Sequence, residues 1–345
     1  MCNTIISNLL WLVKRYAGMV MFLLGLFIAP SFYGFSQTAP EPRVCGALIY
    51  HAQLQKELLM DGLIREPHDE ATKIWSWNGQ KWELLSDKGP QARAFGGVGY
   101  DTKRNKVVLH GGRAWRGSKM NVEKDTWEWD GQEWRKISDT IGIPGQRDHF
   151  SLIDDAIESR ILMIGGVELL VSKDAYVWPK NCWSWDGKSW TMLKFAWPIS
   201  RISTVVYDTK RKHLLAFGGG PEQADRNEQY NDTWIYKDQQ WVKFEGINPP
   251  ARNGHGLVYD PHKNITVLYG GWTKTGERKL GDMWQWDGSQ WHEIKMTGET
   301  PGKRGGHGMV YDLSRKKIVL FGGDTMQGVA NDTWEWDGLH WSKMN

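Results

Sequence analysis

The sequence predicts an all-β protein, a six-bladed β-propeller with four strands to a blade, behind an N-terminal signal segment. Three observations carry this. One hairpin pattern, Trp-x-Trp-Asp-Gly-x-x-Trp, recurs about every fifty residues. An Arg-led unit ending in Gly-Gly precedes each copy. The 345 residues include 22 tryptophans and 39 glycines, a composition suited to aromatic-packed strands joined by tight turns.

Residues 1–36 stand apart. Lys14 and Arg15 precede the apolar run Ala17–Pro30, and the small residues Gly34 and Ser36 follow. This is the layout of a secretory signal cleaved after Ser36, or of an uncleaved anchor if the run continues through Phe35. The rest is nearly neutral, since the whole chain carries a formal charge of only +3. That balance excludes a nucleic-acid binder, which concentrates basic charge to displace counterions. Beyond the segment two cysteines remain, Cys45 and Cys182, read as small buried thiols rather than a disulfide framework.

The six hairpins run Trp75 to Trp82, Trp127 to Trp134, Trp183 to Trp190, Trp234 to Trp241, Trp284 to Trp291 and Trp334 to Trp341. Their first and third positions share one strand face, where a neighbouring blade buries them. Asp-Gly is the strongest short hairpin signal, and the last Trp returns on the partner strand. Upstream, Arg93 leads to Tyr100-Asp101 and then to Gly111-Gly112; Arg252 and Arg304 open equally clear copies, and Arg147 and Arg201 looser ones. The first copy is worn: Arg43 leads to Tyr50-His51, and Asp61-Gly62 stands where Gly-Gly belongs. Each unit supplies four strands, which places the blades near 43–86, 93–138, 147–194, 201–245, 252–295 and 304–345. Closure between the last blade and the first rests on side-chain packing, with an added edge strand from Gln37–Pro42 as the alternative, and that junction is where fraying is expected.

These residues resemble the kelch repeat and the central propeller of galactose-oxidase-like proteins: an Arg-led first strand, Gly-Gly closing the second and a Trp near the fourth. The resemblance runs from Arg43 to the end. It implies a fold more strongly than a function, because one fold hosts many. It also implies that arginines at the leading position can enter ligand sites. A copper-radical centre is not expected, since no ligand set assembles around Cys45; neither a cofactor nor a metal site is predicted.

Length variation is concentrated in the loops between second and third strands and between blades, which share one face of the ring, so that face is the place for a site. Four tryptophans outside the hairpins, Trp115, Trp178, Trp197 and Trp272, fall there, either as stacking surfaces for a sugar or peptide or folded inward as a plug. Arg43, Arg93, Arg147, Arg201, Arg252 and Arg304 form a ring that either clamps carboxylates or pairs with an Asp or carbonyl of an adjacent blade. His110, His149, His255 and His307 are expected as polar lining of the channel, with convergence as acid–base groups or metal ligands the alternative. The loops add His68, Asp69, Glu70, Arg113, Arg116, Glu168, Asp174, Glu222, Asp225 and Arg226.

The expected function is a secreted or periplasmic, monomeric recognition module that binds a glycan or peptide on the variable-loop face. The alternative is a carbohydrate-active enzyme, a sugar mutarotase or epimerase similar to the kelch-type sialic-acid epimerase, or a polysaccharide lyase. Such chemistry needs an acid and a base within reach of the sugar.

Overall fold

The computed structural model describes residues 39–62, 71–116, 119–138, 144–170, 175–199, 201–220, 229–274 and 278–344. The signal segment, and with it the proposed cleavage site, lies outside them. Among the described residues every regular element is a strand, and the strands form six antiparallel sheets, each built on a four-strand path. A small three-stranded sheet (Arg93–Ala94, Arg113–Arg116, Lys119–Val122) extends the second of them.

The innermost strands, Ala47–His51, Gly97–Asp101, Arg147–Asp155, Ile202–Asp208, Gly256–Asp260 and Gly308–Asp312, pack one on the next, and the sixth packs on the first. The sheets therefore close into the ring of a β-propeller. The hydrophobic core is divided accordingly. Six buried clusters lie in the six wedges between neighbouring sheets, for example Trp129 with Leu58 and Met60, or Trp286 with Leu215 and Phe217. A fully buried Trp ring removes about 200 Å² from water, roughly 5 kcal/mol of transfer energy. Several indole N–H groups recover a hydrogen bond as well: Trp185 Nε1 donates to Glu128 at 2.8 Å, and Trp190 Nε1 to Thr126 at 2.9 Å, each reaching into the preceding sheet.

Local chemistry sets the turns. In the first-to-second strand turns, Gln55, Asn105, Ser159, Lys212, Asn264 and Lys316 all take φ between 53° and 58°. The hairpin Asp side chains cap their own turns, as when Asp130 accepts from the N–H groups of Gln132 and Glu133 at 3.0 Å. The degenerate fourth hairpin turns through Asp238 and Gln239, both at positive φ, as a type I′ turn requires.

Gly-Gly proves to be the joint between sheets. The N–H of the second residue donates to the carbonyl of the next sheet's leading arginine: Gly62 to Arg93 (3.0 Å), Gly112 to Arg147 (2.9 Å), Gly219 to Arg252 (2.8 Å) and, closing the ring, Gly323 to Arg43 (3.0 Å). A Cβ on the first glycine would meet that same carbonyl, at 2.4 Å for Gly111 and 2.9 Å for Gly322. The first sheet keeps the geometry because Asp61 adopts φ 58°.

The sixth-to-first junction is the correction to the expected weak point. It carries Gly323 to Arg43 and Arg43 N–H to the Ala330 carbonyl (3.2 Å), with Trp77 on Glu335 and Trp82 on Thr333, both at 2.9 Å. Arg315 adds a bridge, pairing with Glu57 of the first sheet at 2.7 Å and with Asp312 and Glu335 of the sixth.

Candidate functional site

The leading arginines are committed to the scaffold. In five repeats the guanidinium donates to the carbonyl eighteen residues on: Arg43 to Asp61 (3.0 Å), Arg93 to Gly111 (3.0 Å), Arg147 to Gly165 (3.4 Å), Arg252 to Gly270 (2.9 Å) and Arg304 to Gly322 (2.8 Å). The charge is met by a carboxylate of the same sheet: Asp125 for Arg93, Glu168 for Arg147, Asp282 for Arg252 and Asp332 for Arg304. Arg201 pairs with Asp232 and lies 3.9 Å from the centre of the Tyr230 ring. In that repeat Ser203 takes over the carbonyl of Gly218, at 2.8 Å. All six arginines are buried. Arg93, Arg147, Arg252 and Arg304, expected among the ligand-binding groups, are buried in these clasps, and their partners lie in their own sheet rather than an adjacent one.

The aspartates among those partners were missed in the sequence, although the signal was present. Asp125, Asp232, Asp282 and Asp332 each stand two residues before the first hairpin Trp and accept its Nε1–H at 2.7–2.8 Å while holding the arginine. Asp125, Asp282 and Asp332 are held below the ordinary carboxylate range: burial raises them, but the arginine and the indole donor outweigh it.

Two residues after the leading arginine the chain reaches the channel mouth. Cys45, Phe95, His149, Gly254 and Gly306 occupy this position and all have left-handed φ, between 55° and 66°. Backbone bonds link them around the mouth: Cys45 N–H to the Gly306 carbonyl (2.7 Å), Gly306 to Gly254 (2.7 Å) and His149 to Phe95 (2.8 Å). The result is a peptide collar where the innermost strands begin.

Two aromatic surfaces rest on this collar. Between the second and third sheets the His149 and Phe95 rings stack, centroids 3.9 Å apart. His149 Nδ1 meets Asp148 at 2.5 Å, and Arg113 Nε donates to the same carboxylate at 2.6 Å, with its guanidinium 5.3 Å from the exposed Tyr176 ring. Burial alone would raise Asp148, yet His149 and Arg113 hold it below the usual carboxylate range. Between the fifth and sixth sheets, Trp272 lies over Gly254, Gly305 and Gly306, where any Cβ would fall within 2.2–2.6 Å of the ring. Its Nε1 donates to Asp324 at 3.2 Å, and Lys279 donates to Asp324 at 2.7 Å. Cys45 lies close to Gly306 and the edge of that ring; burial and Asp324 push its thiol up to about 12. Both cysteines are free, and Cys182 is buried as expected, whereas Cys45 is half-buried.

The other expected residues do not converge here. Trp197 is 1% exposed and packs edge-on against Trp241 in the core between the third and fourth sheets, so it has no face to offer a ligand. Trp115 lies partly covered on the Arg113–Arg116 strand, and Trp178 follows Ala175–Val177, also partly covered. Of the histidines only His149 reaches the mouth. His110, His255 and His307 are wedges between sheets rather than channel lining: His110 bonds Thr126 at 2.8 Å, His255 sits edge-on to Phe217, and His307 edge-on to Tyr269. Burial, with Arg304 beside His307 and Arg252 beside His255, lowers them far, His110 and His307 to about 3. His68, Asp69, Glu70, Asp174, Glu222, Asp225, Arg226 and the Arg116 side chain lie outside the described residues.

Comparison with known proteins agrees with this picture. Residues 203–345 match the model of the KLHDC2/KLHL20/DRC7 Kelch-repeats domain. Mei4-dependent protein 6 of Schizosaccharomyces pombe is 38% identical over 81 residues, 23% of this chain and 11% of that protein. Dynein regulatory complex subunit 7 of Chlamydomonas reinhardtii is 30% identical over 119 residues, 33% of this chain and 10% of that protein. The chain thus spans about a tenth of the length of these curated relatives. The solved structure of YjhT superposes with a TM-score of 0.65 at 13% identity, covering 89% of this chain and 99% of that one, a likeness of fold alone. With its Arg-led strands, Gly-Gly joints and closed ring, the chain has the fold of a β-propeller, and its residues 203–345 carry the match to a Kelch-repeats domain.

Proposed function

We propose that the protein is a recognition module that binds its ligand, a glycan or a peptide, over the collared mouth of the ring. The observation that carries this reading is the pairing of charges there. Arg113 with Asp148, Lys279 with Asp324 and Arg147 with Glu168 already satisfy one another, which makes Trp272 and the Phe95–His149 stack the adhesive surface. Binding through preformed aromatic surface costs little ordering entropy. The test is an array of glycans and peptides probed with the wild type, with Trp272→Ala, and with Leu339→Ala, a 72%-exposed residue of a hairpin turn. Loss of a ligand in the first variant but not the second supports the reading; equal binding by all three removes it.

A second reading, a sugar mutarotase, epimerase or lyase, is favoured by the His149–Asp148 pair. An imidazole oriented by a carboxylate at 2.5 Å is the arrangement a general base requires. Turnover of bound sugars, followed by nuclear magnetic resonance and abolished by His149→Gln, would move the protein to this class.

The Lys14-Arg15 and apolar layout of the first residues supports export to the periplasm or medium. Sequencing the amino terminus of the protein recovered from the envelope and the medium tests this, with Gln37 expected as the first residue.

A further inference from the structure

The collar places its two aromatic surfaces in a particular relation. Phe95 and His149 straddle the junction of the second and third sheets, and Trp272 covers the collar glycines of the fifth and sixth. In a ring of six sheets in cyclic order, those two junctions are diametrically opposite. A ligand that uses both must cross the mouth.

The chemistry at each end is matched. Trp272 is fixed from below by three glycines and from the side by its bond to Asp324, so one indole face is spent on the collar and the other is held in place. Beside it, Asp324 and Lys279 are paired with each other, leaving lone pairs and N–H groups to meet hydroxyls without a net charge to attract an ion. At the far end, Arg113 and Asp148 stand in the same relation beside the Phe95–His149 stack. A flat apolar ring beside a compensated acceptor–donor pair suits the axial C–H face and equatorial hydroxyls of a sugar. It suits a carboxylate or phosphate poorly, because the flanking cations are already committed.

We propose that the mouth binds a neutral, chain-like glycan that spans the channel, with one sugar on Trp272 and another on the Phe95–His149 stack. This rests on the reading of the mouth as the binding face and goes beyond it in naming the ligand's charge and length.

The experiment titrates the full chain, by calorimetry, with cellohexaose, xylohexaose, mannohexaose and chitohexaose, with the matching monosaccharides, and with oligogalacturonate, sialyllactose and a peptide library. A neutral hexasaccharide is expected to bind at least about tenfold more tightly than its monosaccharide, with about tenfold lost in Trp272→Ala and in Phe95→Ala alike. Trp272→Phe, which keeps a ring on the glycines, is expected to retain most of the affinity, and circular dichroism reports whether each variant is folded. Binding only of acidic sugars or of peptides, weakened by Trp272→Ala, overturns the neutral glycan while leaving the binding face in place. Binding indifferent to both alanine variants overturns both readings, and silence across the whole neutral set overturns the proposal.

Discussion

Gly323 donates its N–H to the carbonyl of Arg43 at 3.0 Å, and this bond between the two ends of the folded chain repeats the joint found between inner neighbours. Closure therefore uses the same backbone device as the rest of the ring. Gly322→Ala tests it. Its Cβ would lie 2.9 Å from the Arg43 carbonyl at φ 65°, whereas Gly298, at φ 77°, has open space. Both alanines bear left-handed strain, about 1–2 kcal/mol. Urea unfolding should show Gly322→Ala costing at least about 1 kcal/mol more, the worth of a closing hydrogen bond. Equal costs would mean that closure rests on the tryptophans.

The same junction predicts a pH effect. Glu57 is fully buried, and burial together with a hydrogen bond to Asp312 pushes its carboxyl up to about 8, against the pull of Arg315. Three carboxylates (Glu57, Asp312, Glu335) share Arg315 and Lys317, so one proton balances the set. With the folded value above the ordinary 4.5, the stabilisation is whole below 4.5 and is lost as pH rises through 8. Glu57→Gln removes the titration. Its stability relative to wild type should rise from pH 5 to pH 9, by up to about 1.4 kcal/mol per pH unit inside the window. A difference that does not vary with pH would show that Glu57 stays ionised.

The ring was legible in sequence because packing repeats itself: each hairpin Trp and each Gly-Gly solves the same wedge or joint, so the residues recur with their spacing. The mouth was not legible for the opposite reason. Cys45, Phe95, His149, Gly254 and Gly306 share only a backbone angle, and a position defined by φ admits unlike side chains. Arg252 and its equivalents misled because a recurring charge reads equally as a ligand clamp and as a clasp. Asp282, two residues before Trp284, held the answer and went unread.

Three histidines make the fold acid-sensitive. His110 and His307, lowered to about 3, and His255, lower than its ordinary value, are neutral in the folded protein and charge near 6.5 when unfolded. The unfolded chain then binds more protons between those values, so stability is intact above 6.5 and is lost as pH falls toward 3. His307→Phe is the matched test, because Phe150 fills the same position, three residues after its leading arginine. Chemical unfolding between pH 6.5 and 4.5 should show the variant losing less stability than wild type, by about 1.4 kcal/mol per pH unit. Comparing the two cancels the contribution of Glu57, and parallel curves would place His307 in contact with water.

Arg252→Lys separates clasp from clamp. The guanidinium donates to both oxygens of Asp282, at 2.7 and 2.6 Å, and to the carbonyls of Gly270 and Pro250, both at 2.9 Å. A lysine ammonium is a point donor and cannot serve this fork. Its substitution leaves a half-buried carboxylate and carbonyls underbonded, at a cost of about 2–4 kcal/mol. The clasp predicts a lowered melting temperature, with ligand affinity unchanged in the fraction that remains folded, because the side chain is wholly buried and Trp272, not Arg252, faces the mouth. A clamp predicts the reverse, an unchanged melting temperature with affinity lost. The two outcomes are opposite in both measurements, so a single variant decides whether the six-fold arginine ring serves the ligand or the ring.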